Sequence, residues 1–287
     1  MKRNSFSLIL ALLFLVSFAP LNFAQDLDLE EMVLPPDYSS KPPEEAQMET
    51  QSNLDEVIGP LLDLFGFYSG GGLYHTADIH GTGGFDVGLR VITMMVKDDQ
   101  KPPLPFPQDE SLNGGVFRDM TLMPLPVLQA SLGLPGNVEA TGRFFTYPMG
   151  DGDKKGNITL IGVGFKYGLL QNMLLPRVAI VGAYHYLTVP DDFDFGNVSS
   201  ISGAVVVSKG FLGILEAYGS VGIDYNKFEV DLTLPDPIGK VTKDYTNQNL
   251  RYNVGLKISP FPLLYIHADY NFGKVQGFNL GAGVSFR

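Results

Sequence analysis

Apolar and polar residues alternate with a period of two over the C-terminal two thirds of the chain. In the final segment one face carries Phe278, Leu280, Ala282, Val284 and Phe286, and the other carries Asn, Gly, Ser and Arg. Such alternation indicates β-strands with one apolar and one polar face. Each stretch is about as long as the roughly 9 to 11 residues that a tilted strand needs to cross a bilayer. The alternating segments are 84–96, 126–134, 137–147, 157–168, 177–188, 198–208, 213–228, 250–258, 264–272 and 278–286.

The pattern predicts an all-β fold, a transmembrane antiparallel up-and-down β-barrel over residues 84–287. We expect about 10 strands, which places both barrel termini on the periplasmic side. About 12 strands are the alternative, if 70–80 and part of 112–123 also pair. Short and long connections alternate, as short periplasmic turns and longer external loops do in bacterial barrels. The short links are 135–136, 209–210 and 259–262, and the long links are 97–124, 147–156, 189–197 and 227–246.

The charged residues of these segments lie on the face opposite the apolar one. Pairs on the same strand keep the same parity, for example Asp86 with Arg90 and Arg251 with Lys257. Because unpaired charges inside a narrow barrel are costly, the near balance of acids and bases predicts a cross-linked polar lumen rather than an open pore. Residues expected to face the lumen are Asp86, Arg90, Glu139, Arg143, Lys166, His185, Glu216, Asp224, Arg251, Lys257, His267 and Asp269.

Large aromatic side chains fall on the apolar face, near one end of their strands. A soluble β-sandwich also alternates, with its apolar residues inward, so the alternation alone leaves that alternative open. Aromatic residues near strand ends favour the barrel, because they are typical of an interfacial girdle. These residues are Phe144, Tyr167, Tyr184, Tyr186, Tyr225, Tyr270, Phe272 and Phe286.

The N-terminus has the plan of a secretory signal peptide over residues 1–24. Lys2 and Arg3 precede a short apolar run, and small residues lead to a cut between Ala24 and Gln25. The alternative is an uncleaved anchor, but the run is shorter than the roughly 20 residues that span a bilayer. The sequence therefore predicts an exported protein.

Two further segments precede the strands. Residues 25–52 are acidic and Pro-rich, so we expect a disordered leader. Residues 53–83 form the next unit, in which a helix over 54–65 begins at an Asn53 cap and contains Pro60. We interpret this unit as a plug or a periplasmic segment.

Composition excludes several classes of protein. Removal of the leader leaves 18 basic and 31 acidic residues, a net charge of −13, and such a chain is a poor nucleic-acid binder. The chain has no cysteine, which excludes disulfides, Cys-based metal sites and a lipid-anchored N-terminus.

The chain resembles an uncharacterised family of Gram-negative outer-membrane β-barrel proteins. The stretches GGLYHTADIHGTGGFDVGLRV (71–91), LPVLQASLGLPGNVEATGRFF (125–145) and GFKYGLLQNMLLPRVAIVGAYHYLTV (164–189) carry the likeness. It implies a barrel in the outer membrane, and no mechanism. A weaker likeness is to the long-chain fatty-acid transporter family, in which an N-terminal plug precedes a barrel that has more strands. The C-terminal Val-Ser-Phe-Arg is similar to the terminal signal read by the barrel-assembly machinery.

Few residues suggest chemistry. His75 and His80 stand in a Gly-rich stretch with no acidic cluster, so we expect no metal site and no cofactor. A lumen histidine, His185 or His267, beside Asp269 could act as a general base, but no nucleophile motif accompanies it. The loop 151–156 lacks the last acid of a calcium loop, and Asp191, Asp192 and Asp194 form a plain acidic loop.

We therefore expect a non-enzymatic, monomeric outer-membrane barrel with a structural or binding role, or with narrow passage of a small or apolar ligand. Its expected partners are outer-membrane lipid, the assembly machinery and a possible small apolar ligand, but no nucleic acid. The alternatives are an outer-membrane hydrolase that uses the lumen His/Asp pair, and a secreted soluble β-sandwich.

Overall fold

The structure is a computed structural model. It describes residues 33–35, 37–97, 121–149, 156–172, 174–189, 196–211 and 213–286. The predicted signal cleavage at Ala24 and Gln25, the loop 151–155 and the acids at 191, 192 and 194 lie outside these ranges.

One long helix precedes the strands. A short 3-10 turn, Tyr38–Ser40, is followed by helix α1, Pro43–Gly70, which begins after Pro42 and contains Pro60. The predicted disordered leader is therefore wrong for residues 43–52, and Asn53 lies inside the helix rather than at its cap. Ala46 and Thr50 are fully buried, so contacts with other elements stabilise these first turns. Within the described ranges, no helix is long and apolar enough to cross a bilayer.

Ten antiparallel strands close into a single barrel in which each strand pairs with its sequence neighbours and β1 pairs with β10. This confirms the predicted ten-strand barrel. The β-sandwich alternative is wrong, because the strands form one closed sheet rather than two. The strands are β1 Phe85–Met95, β2 Leu122–Leu134, β3 Val138–Met149, β4 Gly156–Leu170, β5 Arg177–Thr188, β6 Asn197–Phe211, β7 Leu215–Thr233, β8 Lys240–Ile258, β9 Leu264–Gly273 and β10 Gln276–Phe286.

The barrel has two unequal ends. At the end that we call the base, β1 begins and β10 finishes, with Phe85 paired to Phe286. At the opposite end, which we call the hairpin end, β7 and β8 extend beyond the other strands and pair as far as Thr233 and Lys240. The predicted loop over 227–246 is therefore wrong, since most of it is strand and only 234–239 connects β7 to β8.

The side chains on the outer wall form an apolar band. Along β7 the band includes Val221, Ile223 and Tyr225. It ends toward the hairpin end at Lys227, where the outer face becomes charged. The aromatic residues lie at both margins of this band rather than at one. Toward the base are Phe85, Tyr167 and Phe286, and toward the hairpin end are Phe144, Tyr184, Tyr186, Tyr225, Tyr252, Tyr270 and Phe272.

Among the residues that the structure describes, β2 and β3 are not paired along their whole length. These two strands pair from Leu134 with Val138 up to Leu128 with Phe144, and not beyond. Residues 122–127 pair only with β1, and 145–149 pair only with β4, so the two described edges separate toward the hairpin end. Pro124 and Pro126 lie on the separated part of β2, where the missing proline N–H is tolerated because the edge is unpaired.

Candidate functional site

The lumen is filled by the chain's own residues 62–83, which we call the plug. The plug enters at the hairpin end as the last turns of α1 and reaches the base, where the Gly83 amide donates to the Gly133 carbonyl at 3.0 Å. It contacts the wall at intervals along the whole barrel. The candidate site is therefore the interface between plug and wall.

The half of the lumen toward the hairpin end is apolar. Leu62, Phe65 and Phe67 of α1 belong to one buried cluster that includes the inward side chains Ile92 and Phe228 of the wall. The predicted cross-linked polar lumen is wrong for this half, because inward positions on several strands carry large apolar side chains. The other inward members are Met94, Met123, Val127, Leu160, Val198, Val230 and Leu232.

A wall arginine holds the C-terminus of α1. The buried Arg143 guanidinium donates to the carbonyls of Ser69 at 2.7 Å and Gly71 at 2.8 Å. A cation at this position satisfies carbonyls that lack helical partners and interacts favourably with the helix dipole. Gly72 then turns the chain with a φ of 60°, a left-handed conformation that favours glycine.

Small residues let α1 approach the wall closely. A Cβ on Gly70 would collide with the Asp224–Arg251 pair, and a Cβ on Gly66 would collide with the Asn226 side chain. The GGG sequence that begins at Gly70 therefore serves packing and turning, which the sequence alone did not indicate.

Histidine 75 lies at the centre of the polar half. Its ring stacks on Tyr265 at 4.5 Å and on His267 at 5.1 Å between centroids. Arg90 donates to His75 Nδ1 at 3.2 Å, to Asp86 at 3.1 Å and to the Tyr265 hydroxyl at 2.6 Å. One plug side chain is thus enclosed by rings and charged groups from two strands of the wall.

Nearer the base, the plug makes directional hydrogen bonds to the wall. The Thr76 hydroxyl donates to Glu216 at 2.5 Å, and Asp78 lies 3.4 Å from Arg177. His80 contacts Glu139 at 2.6 Å and the Ser285 hydroxyl at 2.9 Å. Because each bond needs a particular partner, these contacts fix one register of the plug.

All twelve residues predicted to face the lumen lie on the inner face and are buried. Three ion pairs of an arginine or lysine with a carboxylate join members of this set: Asp86 with Arg90 at 3.1 Å, Glu139 with Lys166 at 2.9 Å, and Asp224 with Arg251 at 3.0 Å. The other members make different contacts: His185 lies 3.3 Å from Arg143, and Lys257 lies over the Tyr265 ring at 4.8 Å. Asp269 accepts from Tyr218, Asn253, Asn271 and Asn279.

Sequence reasoning missed the roles of Tyr218 and Tyr265. Tyr218 donates to Asp269 at 2.8 Å, and Tyr265 donates to Asp86 at 2.9 Å. A signal was available, because Tyr265 shares the parity of His267 and Tyr218 shares that of Glu216. The predicted aromatic girdle does not include these two residues, and the hydroxyl lets tyrosine serve inside the barrel.

The histidines are packed tightly against their neighbours, with little free space around them. His267 lies 3.6 Å from Asp269, but its ring is fully buried against His75, Tyr265 and Tyr218. A cavity of about 10 Å³ beside His75 has room for a single water. Among the described residues, no group of three acidic, His or Cys side chains is placed to hold a metal ion. A larger cavity of about 770 Å³ opens at the base, between Arg177 and Phe261.

Several solved structures show low similarity to the chain. Ail of Yersinia pestis is 14% identical with a TM-score of 0.31, over 71% of this chain and 99% of that chain. The N-terminal barrel of Pseudomonas aeruginosa OprF is 17% identical with a TM-score of 0.31, over 52% and 96%. Neisserial surface protein A is 14% identical with a TM-score of 0.29, over 71% and 97%. Such scores are too low to assign a function.

The sequence itself gives one assignment. No curated protein matches the chain significantly. The likeness to fatty-acid transporters is not shown. Residues 105–286, more than half of the chain, match a family described as "Family of unknown function (DUF6588)". The chain belongs to this family of unknown function.

Proposed function

We propose that this protein is an outer-membrane β-barrel whose lumen is closed by its own N-terminal plug, and that its role is structural or binding rather than open diffusion. The observation that carries the proposal is the continuous occupation of the lumen by residues 62–83. A barrel of about ten strands is only slightly wider than one that side chains alone fill. A helix and an extended segment inside it leave no wide passage through the barrel, although a cavity of about 770 Å³ opens at the base.

The outer wall supports a membrane location. Its band of exposed apolar side chains surrounds the barrel, whereas soluble monomers rarely expose a contiguous apolar patch larger than a few hundred Å². The charged side chains on the outer face lie beyond the aromatic margins, as Lys209 does toward the base and Lys227 toward the hairpin end. Examples of the band are Val87, Leu128, Ile161, Val163, Phe165, Ile201, Val221, Leu250, Val254 and Leu256.

Liposome flux tests the closed lumen. The wild-type protein, reconstituted into phospholipid vesicles, is expected to admit small sugars no faster than empty vesicles do. A variant that lacks residues 33–83 is expected to admit them, provided that heat-modifiable gel migration shows it to be folded. Steady sugar flux through the wild-type protein would contradict the proposal, whatever the deletion variant does.

A second candidate function is narrow passage of a small apolar ligand through the side of the barrel. The observation that favours it is the separation of β2 from β3, where partly buried apolar side chains line the two edges. Leu125 on β2 and Phe145 and Tyr147 on β3 pack against the apolar cluster of the lumen. An apolar molecule that enters there meets apolar side chains rather than the ion pairs of the other half.

Binding of a single-chain fluorescent fatty acid tests this candidate. Phe145→Gln is expected to weaken saturable binding by the purified protein at least fivefold. The matched control is Val181→Gln, which changes an inward apolar side chain in the polar half. Equal effects of the two substitutions, or no saturable binding, would remove the candidate.

A further inference from the structure

We infer that the barrel presents its N-terminal segment on the outer face of the membrane, so that it is an anchor for surface-exposed residues that precede the plug. This inference rests on the proposed outer-membrane location. It follows from the direction in which the chain runs through the lumen. The chain passes from the hairpin end to the base before β1 begins, so everything that precedes the plug starts from the hairpin end.

The helix is fixed at the hairpin end by specific contacts. The Gln47 side chain donates to the carbonyl of Ile238, at the tip of the β7–β8 hairpin, at 2.9 Å. Asp55 accepts from Lys243 at 2.5 Å and from Tyr245 at 2.6 Å on the extended part of β8. The first half of α1 therefore lies beside strands that extend past the apolar band.

A second set of contacts holds the point where α1 enters the barrel. Asp63 accepts from Asn247 at 2.8 Å and Asn249 at 3.0 Å, and it pairs with Lys274 at 2.8 Å. Lys274 lies in the link between β9 and β10, which is at the same end. Two different connections of the hairpin end thus hold the helix that leads into the plug.

The geometry of the barrel decides which end is outside. Bacterial barrels have short periplasmic turns and longer external loops, and their strand termini lie on the periplasmic side. The longest connection, from Met95 to Leu122, and the protruding hairpin both lie at the hairpin end. The base holds the start of β1 and the end of β10. The hairpin end is therefore the outer end, which places the described residues 37–53 on the outer side of the membrane.

The strand order allows the barrel to close around the plug while it assembles. The seam between β1 and β10 joins the first and the last strands of the barrel. The plug precedes β1, so the sheet can wrap around residues 62–83 before the seam closes. The N-terminal segment need not pass through a finished pore.

Cysteine labelling on intact cells tests the inference, because the chain has no native cysteine. Three exposed positions are suited to it. Met48→Cys lies on α1, Thr233→Cys lies at the end of β7, and Leu174→Cys lies at the base. With a membrane-impermeant maleimide, Met48→Cys and Thr233→Cys are expected to label equally on intact cells. Leu174→Cys is expected to label at least tenfold more after permeabilisation than before it.

An epitope tag inserted after residue 26 gives an independent readout of the segment itself. Antibody binding to intact cells is the expected result. If Thr233→Cys labels and both Met48→Cys and the tag need permeabilisation, the inference is overturned, although the closed barrel stands. If Leu174→Cys labels on intact cells, the orientation is inverted and the inference again fails. Recovery of the protein in the soluble fraction would instead overturn the proposed membrane location.

Discussion

The two halves of the lumen are filled in different ways. Toward the hairpin end, helix α1 buries Leu62, Phe65 and Phe67 among apolar wall residues. Toward the base, the extended segment after Gly72 is held by hydrogen bonds and charged partners such as Glu139 and Glu216, beside a smaller apolar cluster that joins Leu73, Tyr74 and Ala77 to β5 and β6. One barrel therefore contains both a hydrophobic core and a polar network.

The difference shows what each half contributes. Apolar burial is non-directional and scales with area, so it holds a helix in place without defining its rotation strictly. A buried polar network has few satisfied arrangements, and each unsatisfied group costs free energy. We infer that the apolar half supplies most of the plug's binding free energy and that the polar half sets its position.

Loss of the Asp224 charge should have the largest effect. Asp224→Asn leaves the buried Arg251 guanidinium without its carboxylate, which is expected to lower the free energy of unfolding by about 3–5 kcal/mol. The measurement is urea unfolding in phospholipid vesicles followed by circular dichroism, since the chain has no tryptophan. The matched control is Asp231→Asn on the same strand, where an exposed carboxylate pairs with Lys240 and no measurable change is expected. Equal effects of the two would show that the polar half is as solvated as the surface.

Loss of the Arg143 cap should have the next largest effect. Arg143→Met keeps much of the side-chain length but leaves the carbonyls of Ser69 and Gly71 without their donor. Hydrogen bonds to charged groups contribute about 1.5–3 kcal/mol each, and part of that loss is recovered by relaxation, so we expect about 2–3 kcal/mol. Arg143→Lys should recover only part of this, because an ammonium lacks the planar fork that reaches both carbonyls. Full rescue by lysine would mean that charge alone holds the helix end.

A volume-conserving change in the apolar half should be tolerated. Leu62→Met keeps the side chain apolar and similar in size, so a loss below about 1.5 kcal/mol is expected in the same unfolding assay. The same variant should leave the vesicles closed to sugars, because the polar half still fixes the plug. A loss as large as that of Asp224→Asn would remove the distinction between the two halves.

The sequence predicted the barrel well because one rule holds along every strand within the apolar band. Apolar side chains face outward and charged ones inward, so a single period identified the strands and the twelve buried lumen residues. The rule is reversed where β7 and β8 extend beyond the apolar band. There Lys227 and Glu229 face outward, while Phe228, Val230 and Leu232 face the helix, and this inverted alternation explains why the pattern predicts a loop over 227–246.

The path of the plug could not be predicted from the sequence. Its contacts join residues far apart in the chain, such as Thr76 with Glu216, and no local pattern encodes such pairs. The first turns of α1 were missed because Ala46 and Thr50, which dock them, are small and weakly apolar. Their spacing with Leu54 and Ile58 at four residues was the signal that was available.

Loss of the contact that Asp55 makes with Lys243 and Tyr245, outside the lumen, should have the smallest effect on stability. That effect should depend on pH. Partial burial alone would raise the pKa of Asp55, but hydrogen bonds from Lys243 and Tyr245 outweigh it and hold that pKa below its ordinary value. The folded state therefore favours the ionised form, so the stabilisation is present at neutral pH and is lost as the pH falls through the lowered pKa. Because this carboxylate is half-exposed and screened by solvent, Asp55→Asn should cost only about 0.2–1 kcal/mol at pH 7. The difference from wild type should disappear in acid, whereas the adjacent exposed Glu56→Gln should show no difference at either pH. A pH-independent loss would mean that Asp55 acts through packing, and the hairpin would then hold the helix in the same way as the apolar half of the lumen.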